Sequence, residues 1–191
     1  MIQDIPKMLT RDEALAIPDE MCPLLVLTDR RGFIPWAIER LTGKGRETGH
    51  YNHAGALYRQ GVVAEQCWRF QRTPLKNYLD GKYRVKFWCW NPGWTDADRT
   101  AMDIELQTLL RMRGKYDWPG ILGQLWAAVF RTPGLREMNC ERRNYCSEAM
   151  VQVFRLADKF LFCDNHASPA DLDRACKAHP KMRAMVFDPR L

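Results

Sequence analysis

The chain has 191 residues, 46% of them hydrophobic and 27% charged, which suits a single soluble domain with a full-sized core. No run reaches the roughly 18 apolar residues of a spanning helix, and Met-Ile-Gln-Asp-Ile-Pro-Lys-Met at the start lacks the pattern of a secretory signal, so a cytoplasmic protein is expected. The net charge of +6 permits acidic partners, but the basic residues are dispersed and Arg142-Arg143 is typical of the short runs, so a solvated basic surface is expected rather than nucleic-acid binding.

Pro23-Leu-Leu-Val-Leu-Thr28 is a short apolar run closed by Asp29 and reads as a buried strand. Residues 33–41 follow as a short helix, and Gly43 and Gly45 mark a loop. Residues 52–58 and 62–68 form a hairpin with Gly61 in its turn, and 83–90 form a further strand that Asn91-Pro92-Gly93 stops. Thr95 and Asp98 resemble a capping box opening a helix with Met102, Leu106, Leu109 and Leu110 at helical spacing, which Gly114 closes. Residues 121–130 are apolar but too short to span a bilayer, and read as a buried or an interfacial helix.

A long helix runs from Cys146 to about Phe160, and Ser168-Pro-Ala-Asp-Leu172 starts a last short one. Met185-Val-Phe187 reads as a final edge strand. Strands and helices without a regular βαβ alternation argue for an α+β fold in one domain covering 1–191.

Seven cysteines, an odd number without an export signal, read as mostly reduced thiols, largely small buried hydrophobes. There is no C-x-x-C pair, so no structural metal is expected from the ligand spacing.

Cys146 differs from the others by position. Met150, Val153, Phe154, Ala157 and Leu161 share a helix face with it, so its thiol points inward at the first turn. The partial positive charge of a helix N-terminus favours thiolate, and the free N–H groups there suit a developing oxyanion. The plainer reading is a small core cysteine.

His53 and Glu65 lie on the two arms of the hairpin. A three-residue loop, 58–60 or 59–61, makes paired positions sum to an even number and puts both on one face with Gly55, Leu57 and Val63. The carboxylate then orients the imidazole as a base for a thiol. A four-residue loop separates them, and a hydrogen-bonded strand histidine is the plainer alternative. Trp88, Trp90 and Trp94 read either as core or as the lining of a substrate groove, and Tyr116 and Asp117 as a turn.

Several pieces, in order, resemble the permuted papain-like, NlpC-type cysteine hydrolase superfamily and its YiiX/YebB-like branch. They are Leu24-Leu-Val-Leu27, Phe33-Ile-Pro-Trp-Ala-Ile38, His53-Ala-Gly-Ala-Leu-Tyr58, Val62-Val-Ala-Glu65, Gly114-Lys-Tyr-Asp117, Tyr145-Cys-Ser-Glu148 and Ser168-Pro-Ala-Asp-Leu172. The matching core covers about residues 23–172.

The resemblance implies a circularly permuted papain-like fold, a small antiparallel sheet packed with a nucleophile-bearing helix. It implies Cys146 as nucleophile, His53 as base and Glu65 as orienting acid, acting at an acyl centre without a cofactor. The substrate class is a peptide, a peptidoglycan stem, an isopeptide or an acyl lipid. Met138-Asn-Cys-Glu141 resembles instead the motif of lecithin:retinol acyltransferase-like proteins, which makes Cys140 a rival nucleophile. That variant implies a lipid-directed acyltransferase or thioesterase touching a membrane surface through 121–130. A non-enzymatic basic binding module, with every cysteine in the core, is the third reading. Cys67 and Cys89 lie on strands and lack a helix terminus to activate them.

Overall fold

Leu24–Thr28 (β2) has no exposed residue, and this decides the layout around it. A strand buried on both faces needs a packed layer on each side. The computed structural model describes residues 5–29, 51–91, 93–112, 115–116, 143–144, 146–155 and 167–191. The other elements, in chain order, are β1 (Lys7–Met8), α1 (Arg11–Leu15), β3 (His53–Arg59), β4 (Val62–Gln66), β5 (Phe70–Pro74), β6 (Val85–Trp90) and α2 (Asp96–Met112). They are followed by β7 (Lys115–Tyr116), β8 (Arg143–Asn144), α3 (Cys146–Arg155), α4 (Pro169–Ala178) and β9 (Met182–Phe187).

The main sheet has seven strands in the order β1-β9-β6-β2-β3-β4-β5, with β2 in the middle. Its pairs are antiparallel except β1 with β9. Leu25 and Leu27 pair with Ala56 and Ala54, and this face meets Met102 and Leu106 of α2, Met150 and Phe154 of α3 and Leu172 of α4. Leu24 and Val26 pair with Leu57 and Gly55, and the opposite face meets Ala14 of α1 together with Leu75, Tyr78 and Leu79. Each fully buried leucine of β2 contributes about 2 kcal/mol by leaving water. The arrangement is α+β, and no helix among the described residues is long and apolar enough to cross a membrane.

Two helices start where the sequence puts them, the first through the expected capping box. Thr95 Oγ1 accepts the Asp98 N–H at 3.2 Å, while Asp98 Oδ2 accepts the Thr95 N–H at 2.9 Å. Ser168 and Asp171 make the same reciprocal pair at 3.2 and 3.0 Å.

Three expectations are corrected. The sheet is seven-stranded and mixed, not small and antiparallel. The last strand, β9, is not an edge, because β1 pairs along its far side with only two residues, too few to show a period in the sequence. The hairpin has a two-residue turn, Gln60-Gly61 with Gly61 at φ 70°, and a bulge between Leu57 and Arg59 in place of a three-residue loop. The tryptophans form core: Trp88, Trp90 and Trp94 are buried, and the indole N–H groups of Trp88 and Trp94 donate to Asp173 Oδ1 and the Pro23 carbonyl, each at 2.8 Å. The expected helix at 33–41, the apolar stretch 121–130, Gly114, Asp117, Cys140 and the helix beyond Arg155 lie outside the described residues.

A half-buried ion pair fastens α4 to the sheet. Lys86 Nζ lies 2.7 Å from Asp173 Oδ1, and the ammonium sits 4.9 and 5.1 Å from the ring centroids of Trp88 and Tyr51. Removing the carboxylate leaves a half-buried ammonium without its counter-charge and the buried Trp88 N–H without its acceptor, so Asp173→Ala lowers the unfolding free energy by about 2 kcal/mol or more. Urea denaturation measures this, and adding Lys86→Met to Asp173→Ala recovers part of the loss.

Candidate active site

The bulge in the hairpin sets the site. It restores an even-sum register, with Gly55 opposite Glu65 and Leu57 opposite Val63, so His53 and Glu65 share a face one pair apart. Between them sits Gly55. A Cβ there would stand 2.9 Å from Val63 Cγ1, 3.1 Å from the Ala64 oxygen and 3.3 Å from Glu65 Cβ. The missing side chain lets β4 close on β3 and lets the carboxylate reach diagonally to the imidazole.

His53 Nε2 lies 2.5 Å from Glu65 Oε2. The other carboxylate oxygen, Oε1, accepts the hydroxyl of Thr73 on β5. Gln71 Nε2 in turn donates to Thr73 Oγ1 at 3.4 Å. Glu65 has no exposed surface and His53 is 8% exposed. A carboxylate only accepts, so Nε2 carries the ring proton and Nδ1 is left for a further partner.

Cys146 is the thiol beside that imidazole. It is the first residue of α3, which packs against β3 with every residue buried except Gln152 and Arg155. His53 and the backbone N–H groups of Ala54 and Ser147 are the groups beside its sulfur that favour the thiolate. β3 pairs with β4 from Gly55 onward, so the start of β3 is left to meet the helix end.

Burial pushes the Cys146 thiol up, but the hydrogen bond and charge of His53 and the two N–H groups outweigh it, and the thiol lies below its ordinary value. Its counterparts show what burial does without such donors. Cys22 is pushed up to about 12, and Cys176 is raised well above the ordinary value.

All three candidate residues, Cys146, His53 and Glu65, therefore meet in one constellation. The roles of three further residues escaped the sequence analysis. Thr73 sits on β5, an edge strand whose Phe-Gln-Arg-Thr-Pro sequence gives little apolar alternation and ends in proline. Gly55 was placed on the right face, but its close contact with β4 is visible only once the register is fixed. Cys67, just past β4, has its sulfur within 4.8 Å of both a His53 nitrogen and a Glu65 oxygen.

No protein-family model matches the chain, and no curated protein matches it either.

Thr73→Val leaves a buried carboxylate oxygen without its donor, at a cost of about 1–3 kcal/mol. Thr73→Ser keeps the hydroxyl and most of the stability. Denaturant midpoints of the two variants check this, and equal losses in both contradict it.

Proposed function

We propose that the chain is a thiol hydrolase of the permuted papain-like type, cleaving an amide, peptide or related acyl bond. The observation that carries this reading is the contact of the lowered Cys146 thiol with an imidazole that Glu65 holds from its other side. Nucleophile, base and orienting acid stand in the order the chemistry needs. The permuted chain order, His53 and Glu65 before Cys146, agrees with the resemblance drawn from the sequence.

In this mechanism the Cys146 thiol gives its proton to His53 and the sulfur attacks the carbonyl carbon. The carbonyl oxygen takes up the negative charge, and the Cys146 backbone N–H at the start of α3 is a donor suited to it. His53 then passes its proton to the leaving amine, the C–N bond breaks, and a thioester remains on Cys146. Water, deprotonated by His53, attacks the thioester and releases the carboxylic acid and the thiol. Glu65 stabilises imidazolium in both halves, and Thr73 keeps its carboxylate aimed.

Cys146→Ala abolishes turnover of p-nitrophenyl esters and peptide anilides. Glu65→Gln keeps the fold and lowers kcat/KM by about 10²-fold or more. The double variant is no worse than Cys146→Ala alone, because residues serving one step are not additive. Full activity in Glu65→Gln removes the carboxylate from the mechanism, and full activity in Cys146→Ala overturns the proposal.

A further inference from the structure

Cys67 follows directly on the last residue of β4, just beyond the Gly55–Glu65 pair where the β3–β4 register ends. A ring nitrogen of His53, a carboxylate oxygen of Glu65 and the Cys67 sulfur all lie within 4.8 Å of one another. His53 and Glu65 are buried and Cys67 is half-buried, so the group is reached from solvent on the thiol's side. We infer that these three side chains form a binding site for a divalent cation of the zinc class, held in competition with the Cys146–His53 couple.

The donor set fits that ion. Zinc takes imidazole nitrogen, carboxylate oxygen and thiolate sulfur at about 2.0–2.3 Å, which sets tetrahedral donors about 3.3–3.7 Å apart. From a 2.5 Å His53–Glu65 contact and a 4.8 Å outer bound, the donors reach that spacing by shifts of about 1 Å. One thiolate and one carboxylate cancel the charge of the ion, so the complex is neutral where His53 and Glu65 are buried. The Thr73 hydroxyl already holds the second carboxylate oxygen, the outer support that metal-binding carboxylates use.

Binding takes the proton from the Cys67 thiol, breaks the His53–Glu65 hydrogen bond and releases protons to solvent, so affinity rises with pH. The binding itself does not depend on the hydrolase reading. Its consequence does: an imidazole bound to the metal cannot take the Cys146 proton, and the metal-loaded protein is inactive.

The test titrates the full chain with Zn²⁺ against a chromophoric chelator, in a phosphine reductant that keeps the cysteines reduced. One equivalent binds; Cys67→Ser and His53→Ala each weaken it tenfold or more, and Cys146→Ala binds it at least as tightly, because the thiol that competes for His53 is gone. With Co²⁺, a thiolate-to-metal absorption band appears in the unaltered chain and in Cys146→Ala, and is missing in Cys67→Ser. In the unaltered chain, which needs no variant to fold, Zn²⁺ slows alkylation of Cys67. Undiminished labelling of Cys67, no competition with the chelator, or a band that follows Cys146 instead of Cys67 overturns the inference. None of these readouts uses a substrate, so a bound metal with no acyl chemistry at Cys146 keeps the metal site and removes the hydrolase.

Discussion

Glu65 is a carboxylate without exposed surface, and a buried carboxylate must be surrounded by donors or it will not stay ionised. Its two oxygens are served from two strands, by His53 on β3 and Thr73 on β5. Meeting that demand fixes the pairing of three strands at once. The β3–β4 register must be even, Gly55 must lack a side chain, and β5 must bring Thr73 opposite Val63. Once held this way, the imidazole has one nitrogen committed and one left for the thiol at the start of α3. A single buried charge thus links sheet register to the chemistry of Cys146.

The same comparison separates the cysteines by environment. Burial alone raises a thiol, as Cys22 and Cys176 show. Cys146 is buried as well, yet it has an imidazole and two backbone N–H groups around its sulfur. Burial opposes the thiolate there too, but the donors outweigh it, since water does not compete for them. Cys67 is the intermediate case, half-buried beside the same imidazole but without a helix end. The proposed nucleophile and the proposed metal site therefore draw on one histidine.

Much of this was legible in the sequence. Leu24-Leu-Val-Leu-Thr28 is apolar at consecutive positions, as a strand covered on both sides must be, and the Thr95/Asp98 and Ser168/Asp171 boxes mark real helix starts. The shared face of His53 and Glu65 was reached through a correct parity and a different turn, since a two-residue turn with a bulge has the parity of a three-residue loop. What stayed hidden rests on long-range pairing. β1 is two residues long, β5 is a polar edge strand, and Cys67 acquires a meaning only when the fold brings its sulfur near the His53 ring. The tryptophans of β6 alternate as a groove lining would, and only the helices packed over them make them core.

The central claim is that His53 lowers the Cys146 thiol against the opposing effect of burial. The direct measurement is the rate of iodoacetamide alkylation at Cys146 across pH, mapped by mass spectrometry, in the native chain and in His53→Ala. The thiolate alone reacts, so the midpoint of the rate profile reports the thiol's ionisation. In the native chain the midpoint falls below the ordinary thiol value of about 8.5; in His53→Ala the largest lowering contacts are gone, burial dominates, and the midpoint moves above it. The same midpoint in both proteins, or labelling concentrated at Cys140, would contradict the account.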